Sequence, residues 1–325
     1  MSGAQLRIVF LDAATYGDVS LERFTRRWDC TVYELTSPEE TRARLAGHAI
    51  VVTNKVVIDK AILRSPEARD LKLIAVAATG VDIIDREEAM SGGVRVCNVP
   101  GYASQSVAQF TLALILELAS SAGKYSQAVR NGEWQRSPVF ALLSYPVVEL
   151  KGKKLGIVGY GSIGHAVARM AQGFEMEILI SAHPGVNDPI PPDRIAFDRL
   201  LSLADFISLH CPLTTETRNL INPQSLSRMK PTAFLINTAR GGLVDEAALI
   251  EALRRKQIAG AAVDVISQEP PQSDHPMIRA AQELDRLIVT PHTAWSAHEA
   301  RARLLQEVEE NIAAYLQGRD RNRVA

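Results

Sequence analysis

Short apolar runs alternate with longer amphipathic segments along most of the chain. Each run is almost continuously apolar, a composition typical of strands that helices cover on both faces. Between the runs, apolar residues recur at helical spacing, and Ser37 is placed to cap a helix predicted over residues 38–46. This alternation predicts an α/β fold with parallel sheets. The predicted strands comprise residues 7–11, 31–35, 50–53, 73–77, 94–97, 154–158, 177–181, 206–209, 233–236, 260–263 and 287–290.

The composition is that of a globular protein without a strong charge bias. Hydrophobic residues make up 46% of the 325 residues, and the formal net charge of -1 argues against nucleic acid or an anionic membrane as the main partner. Cys30, Cys97 and Cys211 lack CxxC spacing, which argues against a disulfide framework or a zinc site. The start of the chain lacks a signal peptide's long apolar middle, and the apolar stretch 107–119 is too short to cross a bilayer. We therefore expect a cytoplasmic protein.

A predicted strand, a glycine-rich turn and a predicted helix follow one another within residues 154–173. The turn has the spacing GxGxxG, in which the first glycine permits a tight turn, the second lets the backbone approach a pyrophosphate and the third allows close helix–strand packing. Amides at the start of the helix attract the phosphates. In this α/β context the motif predicts dinucleotide binding, with a purely structural turn as the alternative. The predicted cofactor contacts here are Gly159, Tyr160, Gly161, Ser162, Ile163 and Gly164.

The residue that would select NAD is missing. An Asp or Glu about 20 residues into such a unit binds the adenosine ribose 2′-OH of NAD, but residues 178–187 contain no acid. Ala182 stands near the expected position and His183 follows it, so no carboxylate repels a 2′-phosphate and His183 could approach it. Strict preference for NAD is therefore not supported, and use of NADP or of both cofactors is the hypothesis.

The two series of predicted strands are separated by a looped stretch near residues 132–146. A chain of 325 residues is about twice the usual domain size, so two domains are expected. We predict a doubly wound, parallel-sheet Rossmann nucleotide domain over residues 101–290. It is inserted in a smaller, flavodoxin-like α/β substrate-binding domain made of residues 1–100 and 291–325. Long helices are predicted over 104–121 and 297–316, the second packing on the smaller domain.

Three polar segments, residues 237–242, 264–271 and 290–295, directly follow predicted strands. Ligands of open α/β sheets bind beyond the carboxyl ends of the strands, so these loops are expected to converge on the cofactor. Arg240 suits a substrate carboxylate and carbonyl because a guanidinium binds oxyanions bidentately. His292 can exchange a proton near neutrality, and Glu269 can orient that imidazole and favour its protonated form. Each residue alone has an ordinary alternative as a surface ion pair, a turn residue or a structural histidine.

Together, seven segments resemble the D-isomer-specific 2-hydroxyacid dehydrogenases over nearly the whole length. In that family an arginine, a glutamate before a proline pair and a histidine after proline form the catalytic trio, which the resemblance places on Arg240, Glu269 and His292. It implies hydride transfer between NAD or NADP and a small 2-keto or 2-hydroxy acid. The missing acid at Ala182 departs from the usual NAD pattern. The segments are AATGVDIID (77–85), NVPGY (98–102), the glycine turn, HCPLT (210–214), NTARGGLVDE (237–246), DVISQEPP (264–271) and PHTAW (291–295).

Further contacts follow from the same segments. Thr79, Gly80 and Val81 are predicted to lie where a strand passes into a helix, so that the amides of Gly80 and Val81 bind the substrate carboxylate and Asp82 caps the helix. Asp264 resembles the family aspartate that meets the nicotinamide carboxamide, with a cap as the alternative. Cys211 is expected to be a packed group rather than a nucleophile. The remaining cofactor candidates are Cys211, Pro212, Thr238, Ala239 and Ala294, and the remaining substrate candidates are Lys55, alternatively a solvated lysine, and Trp295, alternatively a core residue.

Two segments narrow the resemblance. Residues 53–59 (TNKVVID) and 134–150 are similar to bacterial glycerate dehydrogenases, also called hydroxypyruvate or glyoxylate reductases, which makes hydroxypyruvate and glyoxylate the first substrates to test. The stretch 132–146 resembles the family's dimerisation region and implies a homodimer. Two alternatives stay open: a dehydrogenase of the same fold for formate or phosphite, and a non-catalytic, dinucleotide-sensing protein like the corepressors that share this fold. His298 follows His292 without a ligand constellation, so no metal is predicted.

Overall fold

The structure is a computed structural model that describes residues 6–184 and 190–325. The first five residues and the end of the acid-free stretch 178–187 therefore lie outside the described residues. The strands are β1 Ile8–Phe10, β2 Cys30–Val32, β3 Ile50–Thr53, β4 Leu73–Val76, β5 Arg95–Cys97, β6 Lys154–Val158, β7 Glu177–Ile180, β8 Phe206–Leu209, β9 Phe234–Asn237, β10 Gly260–Val263 and β11 Leu287–Val289. The helices are α1 Glu22–Thr25, α2 Pro38–Leu45, α3 Lys60–Leu63, α4 Arg86–Ser91, α5 Ser104–Ser120, α6 Ala122–Arg130, α7 Ser162–Gln172, α8 Phe197–Leu203, α9 Pro223–Arg228, α10 Glu246–Arg254, α11 Pro276–Glu283 and α12 His298–Leu316.

The chain divides into two compact units, one formed by residues 1–103 and 296–325 and the other by residues 104–295. In the first unit, five parallel strands have the order β2-β1-β3-β4-β5, which is the flavodoxin-like order. The central strands β1, β3 and β4 are buried along their whole length, as expected for a sheet covered on both faces. The last helix, α12, packs against β4 of this sheet.

The second unit contains a six-stranded parallel sheet with the order β11-β10-β9-β8-β6-β7. Beyond β7, Ile195 forms an isolated parallel bridge with Ser181. This bridge stands where a Rossmann sheet has its third strand, next to the second. The order reverses between β6 and β8, so the crevice beyond the carboxyl ends of these strands is the expected nucleotide site. The predicted fold class, a doubly wound Rossmann sheet together with a flavodoxin-like sheet, is confirmed.

Helix starts follow the capping residues, with one correction. Ser37 caps α2 through a complete capping box with Glu40. Asp82, however, does not cap a helix, because residues 82–83 form a turn and α4 begins only at Arg86. The Asp85 carboxylate accepts the capping hydrogen bond from the Glu88 amide. Helix α4 starts late because Ile84, just before it, first forms a parallel bridge with Ile58 in the loop after β3.

None of the described helices is both long enough and apolar enough to cross a membrane by itself. The consecutive helices α5 and α6 meet the same test only as a pair, and they are bent by 61° where they join. Both facts concern the part of the chain that the structure describes.

Candidate active site

The three glycines of the turn after β6 have three different surroundings. Gly159 has φ +96°, and a Cβ built on it would lie 2.4 Å from the Cys211 amide nitrogen. A Cβ on Gly164 would lie 2.3 Å from the Gly159 carbonyl oxygen. A Cβ on Gly161, by contrast, would meet no described atom within 4 Å. Packing therefore requires glycine at 159 and 164, whereas the space beside Gly161 is open, as a pyrophosphate that approaches the backbone needs.

The start of α7 suits an anion. Gly161 precedes the first residue, Ser162, and supplies no side-chain cap, and the first turn carries no acidic residue. The amide N–H groups of this turn therefore point outward with the positive end of the helix dipole. Beside them the Tyr160 and His165 rings lie 3.7 Å apart, and His165 Nδ1 is 2.9 Å from the Gly161 carbonyl oxygen. These residues fit a dinucleotide pyrophosphate.

A valine at position 161 tests the open space directly. Gly161→Val should weaken dinucleotide binding by about thirtyfold, because its side chain fills the approach to the backbone. The free energy of unfolding should change by less than about 1 kcal/mol, since Gly161 has an ordinary φ of -87° and an open neighbourhood. Fluorescence titration with NADH and NADPH and urea unfolding measure the two effects. Gly164→Ala is the matched contrast, because the added methyl group clashes with the Gly159 carbonyl oxygen and should lower the free energy of unfolding. Normal dinucleotide binding by Gly161→Val would show that the pyrophosphate does not bind at this turn.

The end of β7 forms the region where a ribose acid would stand. The Ala182 amide donates to the Ile195 carbonyl oxygen at 2.8 Å, and the Ser181 hydroxyl donates to the Ala182 carbonyl oxygen at 2.7 Å. The backbone of Ala182 is thereby held, and its side chain is only a methyl group. His183, next along the chain, is exposed. Neither residue supplies a carboxylate to a ribose.

His210 and Cys211 pack against the glycine turn at Gly159. The Cys211 thiol is buried, and burial raises its pKa to about 11, which fits a packed group and not a nucleophile. His210 Nε2 is 2.8 Å from the Ser208 hydroxyl, whereas its buried Nδ1 has no hydrogen-bond partner among the described residues. Burial lowers the pKa of His210 to about 4. The Pro212 carbonyl oxygen accepts from the Thr217 hydroxyl at 2.7 Å, which holds the next turn.

His210 should make stability depend on pH. Its pKa of about 4 in the folded chain lies below the usual histidine value, so between these values the unfolded chain binds a proton that the folded chain does not. Acidification from pH 7 to pH 5 should therefore cost about 2 kcal/mol through this residue. His210→Gln, which keeps a donor for Ser208, should lose that part of the pH dependence in urea unfolding. His298→Gln, at an exposed histidine, is the control. Equal pH dependence in wild type and His210→Gln would show that burial does not lower the pKa of His210.

Arg240 lies in the loop after β9, and buried polar groups brace that loop. The Asn237 side chain donates to the Arg240 carbonyl oxygen at 2.9 Å and accepts from the Ala239 amide at 3.1 Å. The Thr238 hydroxyl is 3.0 Å from the hydroxyl of Thr111 on α5. The Arg240 guanidinium donates to the Ala239 carbonyl oxygen at 2.8 Å and is partly exposed. The backbone is thus fixed by bonds of its own, and the guanidinium is partly exposed.

The loops after β9 and β10 touch at Gly241. A Cβ on Gly241 would lie 2.1 Å from the Ile266 carbonyl carbon, so only glycine allows this approach. The Ile266 amide donates to Glu269 Oε1 at 2.9 Å. The other oxygen, Oε2, lies 2.6 Å from His292 Nδ1, in the loop after β11. Because β9, β10 and β11 are neighbours in the sheet, their carboxyl ends bring Arg240, Glu269 and His292 to one edge.

Asp264 holds the loop that carries His292. Its buried carboxylate accepts from the Thr290 hydroxyl at 2.6 Å and from the amides of Thr293 and Ala294 at 3.0 and 2.9 Å. The His292 amide donates to the Asp264 carbonyl oxygen at 2.8 Å, and His292 itself has φ +52°. Asp264 therefore determines a left-handed backbone conformation that a histidine adopts rarely. A contact with the nicotinamide carboxamide stays a prediction.

Two further contacts fix the ends of the same loop. The Trp295 indole N–H donates to the His292 carbonyl oxygen at 2.9 Å, so this ring packs against the backbone of the histidine. The Ser106 hydroxyl, on α5, donates to the Ala294 carbonyl oxygen at 2.7 Å. Both bonds immobilise His292 without using its imidazole.

The remaining predicted substrate residues lie in the first unit. The Asp12 carboxylate, only 4% exposed, accepts from the amides of Asn54, Lys55 and Val56 at 2.9, 2.7 and 3.3 Å. It therefore shapes the loop that presents Lys55 after β3. Thr79 follows the adjacent strand β4.

The segment after β4 is anchored at Thr79. Its hydroxyl donates to the Val99 carbonyl oxygen at 2.9 Å, and the Asn98 side chain donates to its carbonyl oxygen at 2.7 Å. Gly80 and Val81 follow in an irregular segment rather than at a helix start. Their role toward a carboxylate stays a prediction.

Several residues that build the site escaped prediction from the sequence. Asn237 and Thr111 are fully buried polar residues that brace the Arg240 loop, and Gly241 permits its contact with Ile266. A signal for Asn237 is present, because a polar side chain closes a strand that is otherwise apolar. Thr111 lies within a helix and offers no such signal. Among residues 6–184 and 190–325, His, Cys, Asp and Glu form no group of three or more that could hold a metal ion.

Known proteins are similar to this chain in sequence and in fold. Residues 112–294 match the family described as D-isomer specific 2-hydroxyacid dehydrogenase, NAD binding domain. A glycerate dehydrogenase from Methylorubrum extorquens is 39% identical over 97% of this chain and 98% of its own length. A hydroxypyruvate reductase from Blautia hydrogenotrophica is 34% identical over 96% of this chain and 98% of its own length. The chain belongs to the D-isomer specific 2-hydroxyacid dehydrogenases.

A solved member of the same fold contains a bound cofactor. It is an acyclic imino acid reductase in complex with NADPH and D-Arg, 28% identical, with a TM-score of 0.84 over 98% of this chain and 100% of that chain. The prediction of an oxidoreductase that acts on the CH–OH group with a nicotinamide dinucleotide is confirmed by the family. In this 2-hydroxyacid dehydrogenase, the glycine turn fits the pyrophosphate of that cofactor.

Proposed function

We propose that this dehydrogenase interconverts hydroxypyruvate and D-glycerate, and reduces glyoxylate, with Arg240, Glu269 and His292 as its catalytic residues. The observation that carries the proposal is the 2.6 Å contact between Glu269 Oε2 and His292 Nδ1, at the carboxyl edge of the sheet where the Arg240 loop also begins. The relatives named glycerate dehydrogenase and hydroxypyruvate reductase support this choice of acid. So does the resemblance of residues 53–59 and 134–150.

The arrangement assigns one task to each side chain. Glu269 occupies His292 Nδ1, which leaves Nε2 as the nitrogen that passes a proton to the substrate C2 oxygen during reduction and accepts it during oxidation. Arg240 presents a planar fork to the substrate carboxylate and polarises the neighbouring carbonyl. A bound reduced nicotinamide supplies the hydride for C2. The second Glu269 oxygen is held by the Ile266 amide, so the carboxylate orients the imidazole from a fixed position.

We further propose that the enzyme accepts NADP as well as NAD. Ala182 offers a methyl group where a ribose-binding acid would repel a 2′-phosphate, and the exposed His183 beside it can approach that phosphate. The NADPH bound by the related imino acid reductase supports the same conclusion.

One set of initial rates tests both proposals. NADH and NADPH are each combined with hydroxypyruvate, glyoxylate, pyruvate, formate and phosphite, the last two assayed as oxidations with NAD and NADP. We expect the highest kcat/KM with hydroxypyruvate or glyoxylate and a ratio between the two cofactors below about a hundredfold, which is about 2.7 kcal/mol. Turnover of formate or phosphite alone would overturn the substrate proposal. A preference for NADH above a hundredfold would overturn the cofactor proposal.

We propose that the protein is a homodimer in which a second copy covers the segment 134–147. This segment exposes bulky apolar side chains, with Phe140 at 93% and Leu143 at 84% exposure, alongside Trp134, Val139 and Val147. A second copy is the occupant we propose because residues 132–146, which include most of this segment, resemble the family's dimerisation region. Light scattering after size exclusion should give twice the chain mass for wild type and a lower mass for Phe140→Ser/Leu143→Ser. A monomeric wild type would contradict the proposal.

We also propose a cytoplasmic location. Cys30, Cys97 and Cys211 are free thiols, as a reducing compartment maintains. Fractionation of the source cells should recover the enzyme with cytoplasmic markers.

A further inference from the structure

The loops that carry Arg240 and Glu269 meet at one peptide unit, the one between Ile266 and Ser267. On one side, Gly241 packs so closely that its Cβ position would lie 2.1 Å from the Ile266 carbonyl carbon and 2.6 Å from the Ser267 nitrogen. The residue before Gly241 is Arg240. A displacement of this peptide therefore moves the Glu269 loop relative to the arginine.

The side chain of Glu246 binds the same peptide unit. Its Oε1 accepts from the Ser267 amide at 2.6 Å, and its Oε2 accepts from the Ser267 hydroxyl at 3.0 Å. Glu246 is the first residue of α10, whose start is fixed by the Asp245 cap on the Ala248 amide. A short, charge-assisted bond from a fixed helix end is a strong and directional restraint.

The preceding amide of the same loop, that of Ile266, binds the proposed catalytic residue Glu269. The Ile266 amide donates to Glu269 Oε1 at 2.9 Å, and Glu269 Oε2 meets His292 Nδ1 at 2.6 Å. Two consecutive amides, of Ile266 and Ser267, thus bind two different carboxylates. The position of Glu269, and through it that of the imidazole, depends on where Glu246 holds Ser267.

Glu246 also has an ordinary structural reason to be present. An acid in the first turn of a helix interacts favourably with the helix dipole. The ring of buried His275 faces it, with Nε2 3.7 Å from Glu246 Oε2 and Nδ1 accepting from the Met277 amide. Neither role requires a carboxylate with both oxygens on Ser267, 21 residues away along the chain.

We propose that Glu246 is a positioning residue for the hydride transfer. By holding the Ile266–Ser267 peptide against Gly241, it sets the place of Glu269, and so of the His292 imidazole, relative to Arg240. Glu246 touches neither substrate nor cofactor in this role. The inference deepens the proposed function and rests on the catalytic assignment made there.

The first test is a kinetic cycle between Glu246 and Glu269. Glu246→Gln, which can accept only one of the two hydrogen bonds from Ser267, should lower kcat by about tenfold with KM changed by less than about threefold and with dinucleotide affinity unchanged. In a Glu269→Gln background the same change should cost less than about twofold, because the residue it positions has already lost its function. Equal losses in both backgrounds would reduce Glu246 to a structural role.

Two further variants protect the cycle from a folding artefact. Ser267→Ala removes only the hydroxyl bond and keeps the amide bond, so kcat should fall by about threefold with normal stability. Glu251→Gln, on the same helix α10 but paired with exposed Arg255, should leave kcat unchanged. Loss of activity in Glu251→Gln equal to that in Glu246→Gln would overturn the proposal, since the effect would then belong to the helix.

A second readout does not depend on the substrate. Diethyl pyrocarbonate modifies accessible imidazole nitrogens, and peptide mass spectrometry gives the rate at His292. Glu246→Gln should raise this rate by at least about twofold, Glu269→Gln should raise it as well, and the double variant should show no further rise. If these rates behave as expected but no 2-keto acid is reduced, the proposed function fails while the positioning role stands. An unchanged rate in Glu246→Gln overturns the positioning role whatever the substrate.

Discussion

His292→Gln is expected to lower kcat/KM for hydroxypyruvate by about a thousandfold, which corresponds to about 4 kcal/mol of transition-state stabilisation. The side chain that passes the proton is lost, and a glutamine amide cannot replace it. Dinucleotide affinity should stay within about threefold of wild type, because the loop is held through backbone groups by Asp264 and Trp295. Initial rates and a fluorescence titration with NADH give the two numbers.

The control for this variant is His298→Gln. His298 is six residues further on, exposed, and paired with Asp18. Its replacement should leave kcat/KM unchanged. A His292→Gln protein that loses cofactor binding together with turnover would show instead that the histidine supports the loop.

Arg240→Gln should have the second largest effect, a loss of about a thousandfold in kcat/KM with a raised KM for the keto acid. The guanidinium is the group proposed to bind the substrate carboxylate, and an amide offers neither charge nor a bidentate fork. Arg240→Lys keeps the charge and should recover only part of the loss, because an ammonium cannot make two parallel bonds. Measurements with hydroxypyruvate and glyoxylate should agree, since both carry the carboxylate.

Stability separates the proposed role of Arg240 from a structural one. Asn237 and Thr238 hold the Arg240 loop through bonds that do not use the guanidinium, so Arg240→Gln should lower the free energy of unfolding by less than about 1 kcal/mol. Arg255→Gln, at an exposed ion pair, is the matched control. Normal kcat/KM in Arg240→Gln would show that the substrate carboxylate binds to a group other than Arg240.

Asp264 illustrates how far one residue can be understood from its position in the chain. The sequence places an acid directly after a buried strand and thereby indicates a role at the carboxyl edge of the sheet. The structure shows that this carboxylate binds Thr290, Thr293 and Ala294, which fixes the backbone of His292. These partners are 26 to 30 residues away in sequence, so no local pattern reveals them.

Some differences from prediction have equally local causes. Strand β2 ends at Val32, three residues earlier than predicted, because the carbonyl groups of Tyr33 and Glu34 bind the amides of Ala13 and Ala14. Asp82 and Asp85 are both acids ahead of the same helix, and the choice between them depends on pairing of Ile84 with Ile58. Capping preference is a property of the residue type, whereas the start of a helix also depends on what the preceding chain contacts.

The sequence alone determined the positions of the buried strands and of the glycine turn. Apolar runs predict buried strands because their composition follows from burial on both faces, and GxGxxG predicts a phosphate turn because only glycine tolerates φ +96° at Gly159 beside a neighbouring backbone. Tertiary structure alone decided which side chains touch. The contacts of Glu246 with Ser267 and of Glu269 with His292 join segments 21 and 23 residues apart, and they exist only because parallel strands bring separate loops to one edge.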